Sequence, residues 1–336
     1  MKLAIIGWYN HANYGDDRVL YCLKKTFKEY DLFIVDGWED ARRKIREINQ
    51  CDYILVGGGG LILGNCWRNL DVVLKFKKPF GLIGIGVEVN NNLLTNRFIN
   101  AIKNRAEFIL VRDRLSKERL GNHYKVIVGP DLTFLEPFDV AREIKEDICG
   151  INLRDWYYWS GELYSLSYYL LKEINKRFPA IKEIYPLKKW EPDRAMNIIQ
   201  KYFGNTLPVP LYFEKNAMND VKILSKYFRN VPKQFNVNVY YKIRYLIGMR
   251  FHSIVFSVQC GIPFISLSYQ PKNKAFCKDI DLEELSLGLH EWEELPNKIE
   301  YLKEHWYLIR EKIIFYREEK VREIKSIFRS LLRLIK

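Results

Sequence analysis

Arg250 and His252 stand two residues apart, where the short apolar run Tyr245–Met249 gives way to a helix-like segment. A guanidinium grips a carboxylate or phosphate through two parallel hydrogen bonds, and an imidazole exchanges a proton near neutral pH. The pair suits chemistry on a small, acidic substrate. Alone, His252 would usually be a satisfied structural histidine and Arg250 one arm of an ion pair at a domain interface. Side by side at a strand-to-helix junction, they favour a catalytic imidazole beside a binding guanidinium. Cys260-Gly261-Ile262-Pro263 and Ser268-Tyr269-Gln270-Pro271-Lys272 follow, with Lys272 a further cation for an anionic group.

Other constellations sit at equivalent junctions. The loop from Gly7 to Asp17 carries Asn13, Asp16 and Asp17, able to accept hydrogen bonds from sugar hydroxyls. It lacks a Gly-x-Gly-x-x-Gly fingerprint, and its aspartate pair would repel a phosphate. Against the sugar reading stands capping of the next helix by Asp16. Gly57-Gly58-Gly59-Gly60 directly follows the strand-like Tyr53–Val56. There Gly58 and Gly59 can aim amides at an anion, although a tight turn without ligand reads as well. Arg112-Asp113 closes the run Phe108–Val111. Either Asp113 caps a helix and pairs with Arg112 on the surface, or Arg112 is a second anion clamp. Asp131, after Val126–Val128, reads as structural. Asn152-Leu153-Arg154 precedes Trp156-Tyr157-Tyr158-Trp159, a cluster that is either core or, with Trp156 leading, a stacking surface for a sugar ring.

These junctions need strands and helices in alternation to hold them. Leu3–Ile6, Leu32–Val35, Tyr53–Val56, Phe80–Ile85, Phe108–Val111 and Val126–Val128 read as buried strands. Between the first of them lie a helix with Val19, Leu20, Leu23 and Phe27 on one face and a charged one at Glu39–Ile48. A second series comprises strands at Ile148–Leu153, Glu183–Tyr185, Ile247–Met249 and Phe264–Leu267, with helices at Glu162–Arg177 and Pro192–Tyr202. Such alternation predicts an α/β protein with parallel sheets covered on both faces. The polar, proline-bearing stretch Leu135–Asp147 is the expected boundary. This gives Rossmann-like domains at 1–140 and 147–290, facing across a cleft, and a helical segment at 291–336. In that segment Ile324, Ile327, Phe328, Leu331, Leu332 and Ile335 fall at helical spacing against Lys325, Arg329, Arg333 and Lys336. The stripe suits packing on a domain first, and peripheral contact with an anionic membrane second.

The 336 residues are 48% hydrophobic and 28% charged, which is globular rather than disordered. The net charge of +13 suits anionic substrates or surfaces. Nucleic acid is a weaker expectation, because no helix-turn-helix, zinc-finger or RNA-recognition signature is present. Six scattered cysteines and five scattered histidines show no metal-ligand spacing, so free thiols and no metal are expected. No apolar run approaches the ~20 residues of a membrane-spanning helix. The opening Met1–Gly7 is too short and strand-like for an export signal, so a cytoplasmic protein is expected.

In this order, the motifs resemble the polysaccharide pyruvyl transferase family. They are Asn13-x-Gly15-Asp16-Asp17, Asp52…Gly57-Gly58-Gly59, Arg112-Asp113-x-x-Ser116, Gly129-x-Asp131, Arg250-x-His252, Gly261-x-Pro263 and Tyr269-x-x-Lys272, spanning roughly residues 1–280. The resemblance implies a glycosyltransferase-B-type fold that moves pyruvate from phosphoenolpyruvate onto a sugar as a cyclic ketal, with no other cofactor. It implies that Arg250 binds the donor, that His252 takes part in catalysis and that Arg112 also contacts the donor. The acceptor would be a cell-surface glycan or its lipid-linked precursor. Two rival readings are a nucleotide-sugar glycosyltransferase using Glu283 or Glu284 for the ribose, and a non-catalytic binder of anionic glycan or nucleic acid.

Overall fold

The computed structural model describes residues 1–88, 92–143, 146–159, 177, 187–214 and 219–335. Contacts divide the chain into two units, Met1–Pro137 with Tyr316–Lys336, and Phe138–Phe315.

In the first unit β1 (Lys2–Gly7), β2 (Asp31–Asp36), β3 (Tyr53–Leu63), β4 (Phe80–Glu88), β5 (Ile109–Val111) and β6 (Val126–Val128) form one sheet in the order β2-β1-β3-β4-β5-β6. Every pairing is parallel. Leu3, Ile5, Ile54, Leu55, Ile83 and Ile85 are fully buried, as strands covered on both faces must be. The covering helices are α1 (Tyr14–Thr26), α2 (Gly37–Arg43), α3 (Ile45–Ile48), α4 (Leu70–Lys75), α5 (Leu93–Arg105) and α6 (Arg114–Leu120). Helix α1 buries Val19, Leu20 and Leu23, the face its periodicity predicts. The single helix expected over Glu39–Ile48 is instead α2 and α3, interrupted where Lys44 leaves helical backbone values at φ −98°.

The second unit holds β7 (Ile148–Asn152), an antiparallel pair β8 (Tyr157–Trp159) and β9 (Leu187–Lys189), then β10 (Asn205–Pro208), β11 (Tyr245–Gly248), β12 (Phe264–Ser268) and β13 (Ser286–Gly288). Its main sheet is parallel throughout, in the order β10-β7-β11-β12-β13. Helices α7 (Pro192–Tyr202), α8 (Asp220–Leu224), α9 (Phe251–Gln259), α10 (Pro271–Asp279) and α11 (Leu295–Glu304) accompany it, α9 being buried at every residue. The strand expected at Glu183–Tyr185 and the helix expected at Glu162–Arg177, apart from Arg177 itself, lie outside the described residues.

Helix α12 (Trp306–Ile335) supplies residues to both units, so the segment 291–336 does not form a unit of its own. From Tyr316 onward it packs with the first unit. Ile324, Phe328, Leu331 and Ile335 are buried, and the Phe328 ring lies 6.2 Å from that of Phe27. The apolar stripe is therefore occupied by the protein's own core. No described helix is long and apolar enough to cross a membrane.

Both sheets belong to Rossmann-like domains, and each has a point where the strand order reverses. It falls between β1 and β3 in the first, and between β7 and β11 in the second. In open α/β sheets ligands bind outside the carboxyl ends of the strands at such points.

Candidate functional site

At the reversal in the second unit, Asn152 ends β7 and Arg250 follows β11. The Asn152 side-chain oxygen accepts from the Arg250 backbone N–H at 2.8 Å, while its amide donates to the Val209 carbonyl at 2.8 Å. Arg250 donates to Asp220 Oδ1 from Nε at 2.7 Å and from Nη2 at 2.6 Å, with Nε shared to Oδ2 at 2.8 Å, and Asp220 is fully buried. Asp220 Oδ2 also accepts from the backbone of Leu211 and Tyr212, at 3.0 and 3.2 Å. Burial opposes the Arg250 charge, but Asp220 outweighs it, and the guanidinium pKa stands above its ordinary value. The ion pair expected of Arg250 thus exists, yet it lies within one unit.

Arg154, two residues beyond the end of β7, is the second guanidinium here. It sits 4.5 Å from the centre of the Trp156 ring and 4.8 Å from that of Tyr269, and donates to the Tyr269 hydroxyl at 3.0 Å. Trp190 donates to its carbonyl at 2.9 Å. Burial depresses its pKa, and the neighbouring Arg250 charge pushes the same way. A buried cation with a second cation beside it is a place where an anion is stabilised. Trp156 therefore offers a ring face to Arg154, and its ring meets Tyr269 edge-on at 5.0 Å.

His252 is the second residue of α9, 8% exposed, with the Phe251 and Phe256 rings at 5.4 and 5.8 Å. Lys272 is the second residue of α10, half-buried, after the carboxyl end of β12. Between these helices Asn273 donates to the Met249 carbonyl at 2.9 Å. The Asn273 Oδ1 and Gln270 Oε1 atoms are buried without a hydrogen-bond partner among the described residues. Buried acceptors of this kind mark where a hydroxyl or N–H donor would be satisfied. Arg250, Arg154, His252, Lys272 and this amide pair all follow the carboxyl ends of β7, β11 and β12. Glu283 and Glu284 instead precede β13, at its amino end, with Glu284 hydrogen-bonded to Tyr301 at 3.4 Å.

The first unit differs in charge. Asn13, not Asp16, occupies the cap position of α1, without a side-chain cap bond. Asp16 lies in the first turn of the helix, where its carboxylate accepts from the Asn13 amide at 2.5 Å, while Asp17 accepts from the Asn10 backbone at 3.1 Å. Burial raises the Asp17 pKa, with the Asn10 bond and His11 working against that shift. The four glycines are not a turn after a strand: β3 runs through them to Leu63, with its register interrupted between Gly59 and Ile62. Gly58 and Gly59 hold φ of +82° and +87°. A Cβ on Gly58 would meet Val19 at 2.5 Å, and one on Gly59 would meet the Asp16 carboxylate at 2.8 Å. Packing on α1 therefore already explains why both are glycine.

Arg112 is buried, not on the surface. It pairs with Asp113 at 3.4 Å and Glu88 at 3.5 Å. Burial opposes its charge, yet Asp113, Glu88, Asp131 and Asp16 raise its pKa overall. Asp113 also caps α6 through the Ser116 N–H at 2.6 Å, and Asp131 caps the turn Leu132–Leu135 through Thr133 at 3.0 Å. So many carboxylates around one guanidinium favour a hydroxyl-bearing or cationic ligand over an anion. Sequence reading passed over Trp8 and His11 in the same loop, whose rings stack at 3.7 Å while His11 bonds Asp36 at 3.0 Å. It also passed over Asp220. Among the described residues, no group of three or more His, Cys, Asp or Glu is placed to hold a metal ion.

Solved structures with this fold include the UDP-GlcNAc 2-epimerase of Neisseria meningitidis, 14% identical over 99% of this chain and all of that one, with a TM-score of 0.55. The spinosyn rhamnosyltransferase SpnG is 10% identical over 100% and 99% of the two chains, at 0.56. A putative UDP-N-acetylglucosamine 2-epimerase from Listeria monocytogenes is 12% identical over 98% and 97%, at 0.53. At these identities the likeness establishes a glycosyltransferase-B-like fold. Comparison with curated proteins finds no match. The model of one family, polysaccharide pyruvyl transferase, aligns with residues 13–271, a stretch that takes in β2–β12 and the residues described above from Asn13 to Gln270. Carrying that family's sequence pattern from the Asn13 loop to Pro271, this chain belongs to the polysaccharide pyruvyl transferases.

Proposed function

We propose that the protein transfers pyruvate from phosphoenolpyruvate to two hydroxyls of a sugar, forming a cyclic ketal and releasing phosphate. The observation that carries this reading is the pair of buried guanidinium groups, Arg154 and Arg250, the latter held by Asp220, beside His252 at the carboxyl ends of β7 and β11. Phosphoenolpyruvate presents a carboxylate and a phosphate, and so needs at least two cationic anchors. We assign them to Arg250 and Arg154, and Lys272 to the phosphate.

In this mechanism His252 delivers a proton to the methylene carbon of the donor, leaving an oxocarbenium-like centre at C2. A sugar hydroxyl adds there and gives up its proton. The C2–O bond to phosphate then breaks, and a second hydroxyl closes the ring with loss of its own proton. The guanidinium groups stabilise the departing phosphate as its charge grows. Asn13, Asp16 and Asp17, in their acidic surroundings, suit acceptor hydroxyls better than donor anions. For that reason we assign Arg112, Gly58 and Gly59 to holding the Asp16 loop in place instead of to the donor. The acceptor is a sugar of a cell-surface glycan or its lipid-linked precursor.

Incubation with isotopically labelled phosphoenolpyruvate and a panel of lipid-linked sugars tests the reading. Phosphate release coupled to label on the sugar is the expected result. Phosphate release without label transfer, or neither, would defeat it.

A further inference from the structure

We infer that the outer face of α12 is a docking surface for an anionic lipid bilayer, held by charge and not by insertion of the helix's apolar stripe. That stripe is unavailable, because Ile324, Phe328, Leu331 and Ile335 are buried in the first unit. The opposite side carries Arg322, Lys325, Arg329 and Arg333, all exposed. Their spacing of three, four and four residues aligns them on one helical face. The row is about 16 Å long at a rise of ~1.5 Å per residue. None of the four has an ion-pair partner among the described residues, in contrast to the turn before them. There Arg317 pairs with Glu318, and Lys320 with Glu319 at 3.3 Å and Glu323 at 2.7 Å. From Ile324 to Ile335 the helix has no acidic residue at all.

Phe315 precedes Arg322 by two helical turns, and so shares its face; the ring is 69% exposed. A row of uncompensated cations with a bare aromatic at one end matches the interface of a bilayer, where phosphates meet the first methylenes. The chain's net charge of +13 adds a long-range attraction to the same surface. Each basic side chain near an anionic leaflet strengthens binding about fivefold, so the row supplies a factor of several hundred.

The test is flotation of the full-length protein with vesicles of phosphatidylglycerol and phosphatidylcholine, and with phosphatidylcholine alone. The expected result is flotation with the anionic vesicles only, reversed by raised salt. The variant R322Q/K325Q/R329Q/R333Q should lose it by several hundredfold, and Phe315→Ser by a smaller factor. All five positions are exposed, so circular dichroism and phosphoenolpyruvate binding should match the parent. Absence of flotation, equal flotation with neutral vesicles, or unchanged flotation of the fourfold variant would each overturn the proposal. So would concentration-dependent self-association through this face in place of vesicle binding. None of these outcomes bears on pyruvyl transfer, which is measured separately with a soluble acceptor.

Discussion

Removing the Arg250 side chain would strand Asp220, a carboxylate with no exposure and only two backbone amides and Asn152 left to satisfy it. Breaking one side of a buried pair costs on the order of 3–5 kcal/mol. Arg250→Ala should therefore lower the chemical-denaturation midpoint as well as abolish phosphoenolpyruvate binding by calorimetry. His252→Gln should behave differently. It should keep its unfolding midpoint and its donor affinity but lose transfer, and near-normal turnover would remove the imidazole from the mechanism. Arg250 and His252 were legible because their types stand together in the sequence. Asp220 was not, since it meets Arg250 from thirty residues away and nothing adjacent to it signals a charge partner. For Arg112 the sequence offered a surface pair or an anion clamp. Carboxylates from β4, the end of β6 and α1 converge on it, and local reading cannot see that convergence.

Among the elements, the strands were the most legible, because a strand buried on both faces is apolar along its length. The glycine run was misread for a related reason. Glycine following a strand usually signals a turn, and only the approach of α1 and Asp16 keeps Gly58 and Gly59 inside β3. The apolar stripe of the terminal helix had two readings, packing on a domain or lying in a membrane surface, and its burial favours the first. Phe328, 3% exposed against Phe27, should cost about 3–5 kcal/mol when changed to alanine, read as a lower thermal midpoint. Leu334→Ala, at a position 59% exposed, should stay within about 0.5 kcal/mol of the parent. Equal effects of the two would mean that the helix does not pack as described.

At the scale of the whole molecule, all six cysteines are free and buried. Burial pushes the Cys22 and Cys277 thiols up to about 12 and Cys66 to about 11, so little thiolate forms at neutral pH. An aromatic disulfide reagent should thus label none of the six in the native protein and all six in denaturant. Rapid labelling of even one without denaturant would contradict the packing. Two alternating series of strands and helices announced two parallel sheets. The assignment of Tyr316–Lys336 to the first unit was beyond the sequence, because an apolar stripe states that it must be covered and not by what.

That assignment bears on how the protein comes into being. A chain emerging from the ribosome exposes Met1–Pro137 before the rest of its own unit, because the helix that seals this half is translated only after Phe138–Phe315 has been made. Phe27 and its neighbours must wait uncovered through the synthesis of an entire second domain, so the half begun earliest is the one completed last.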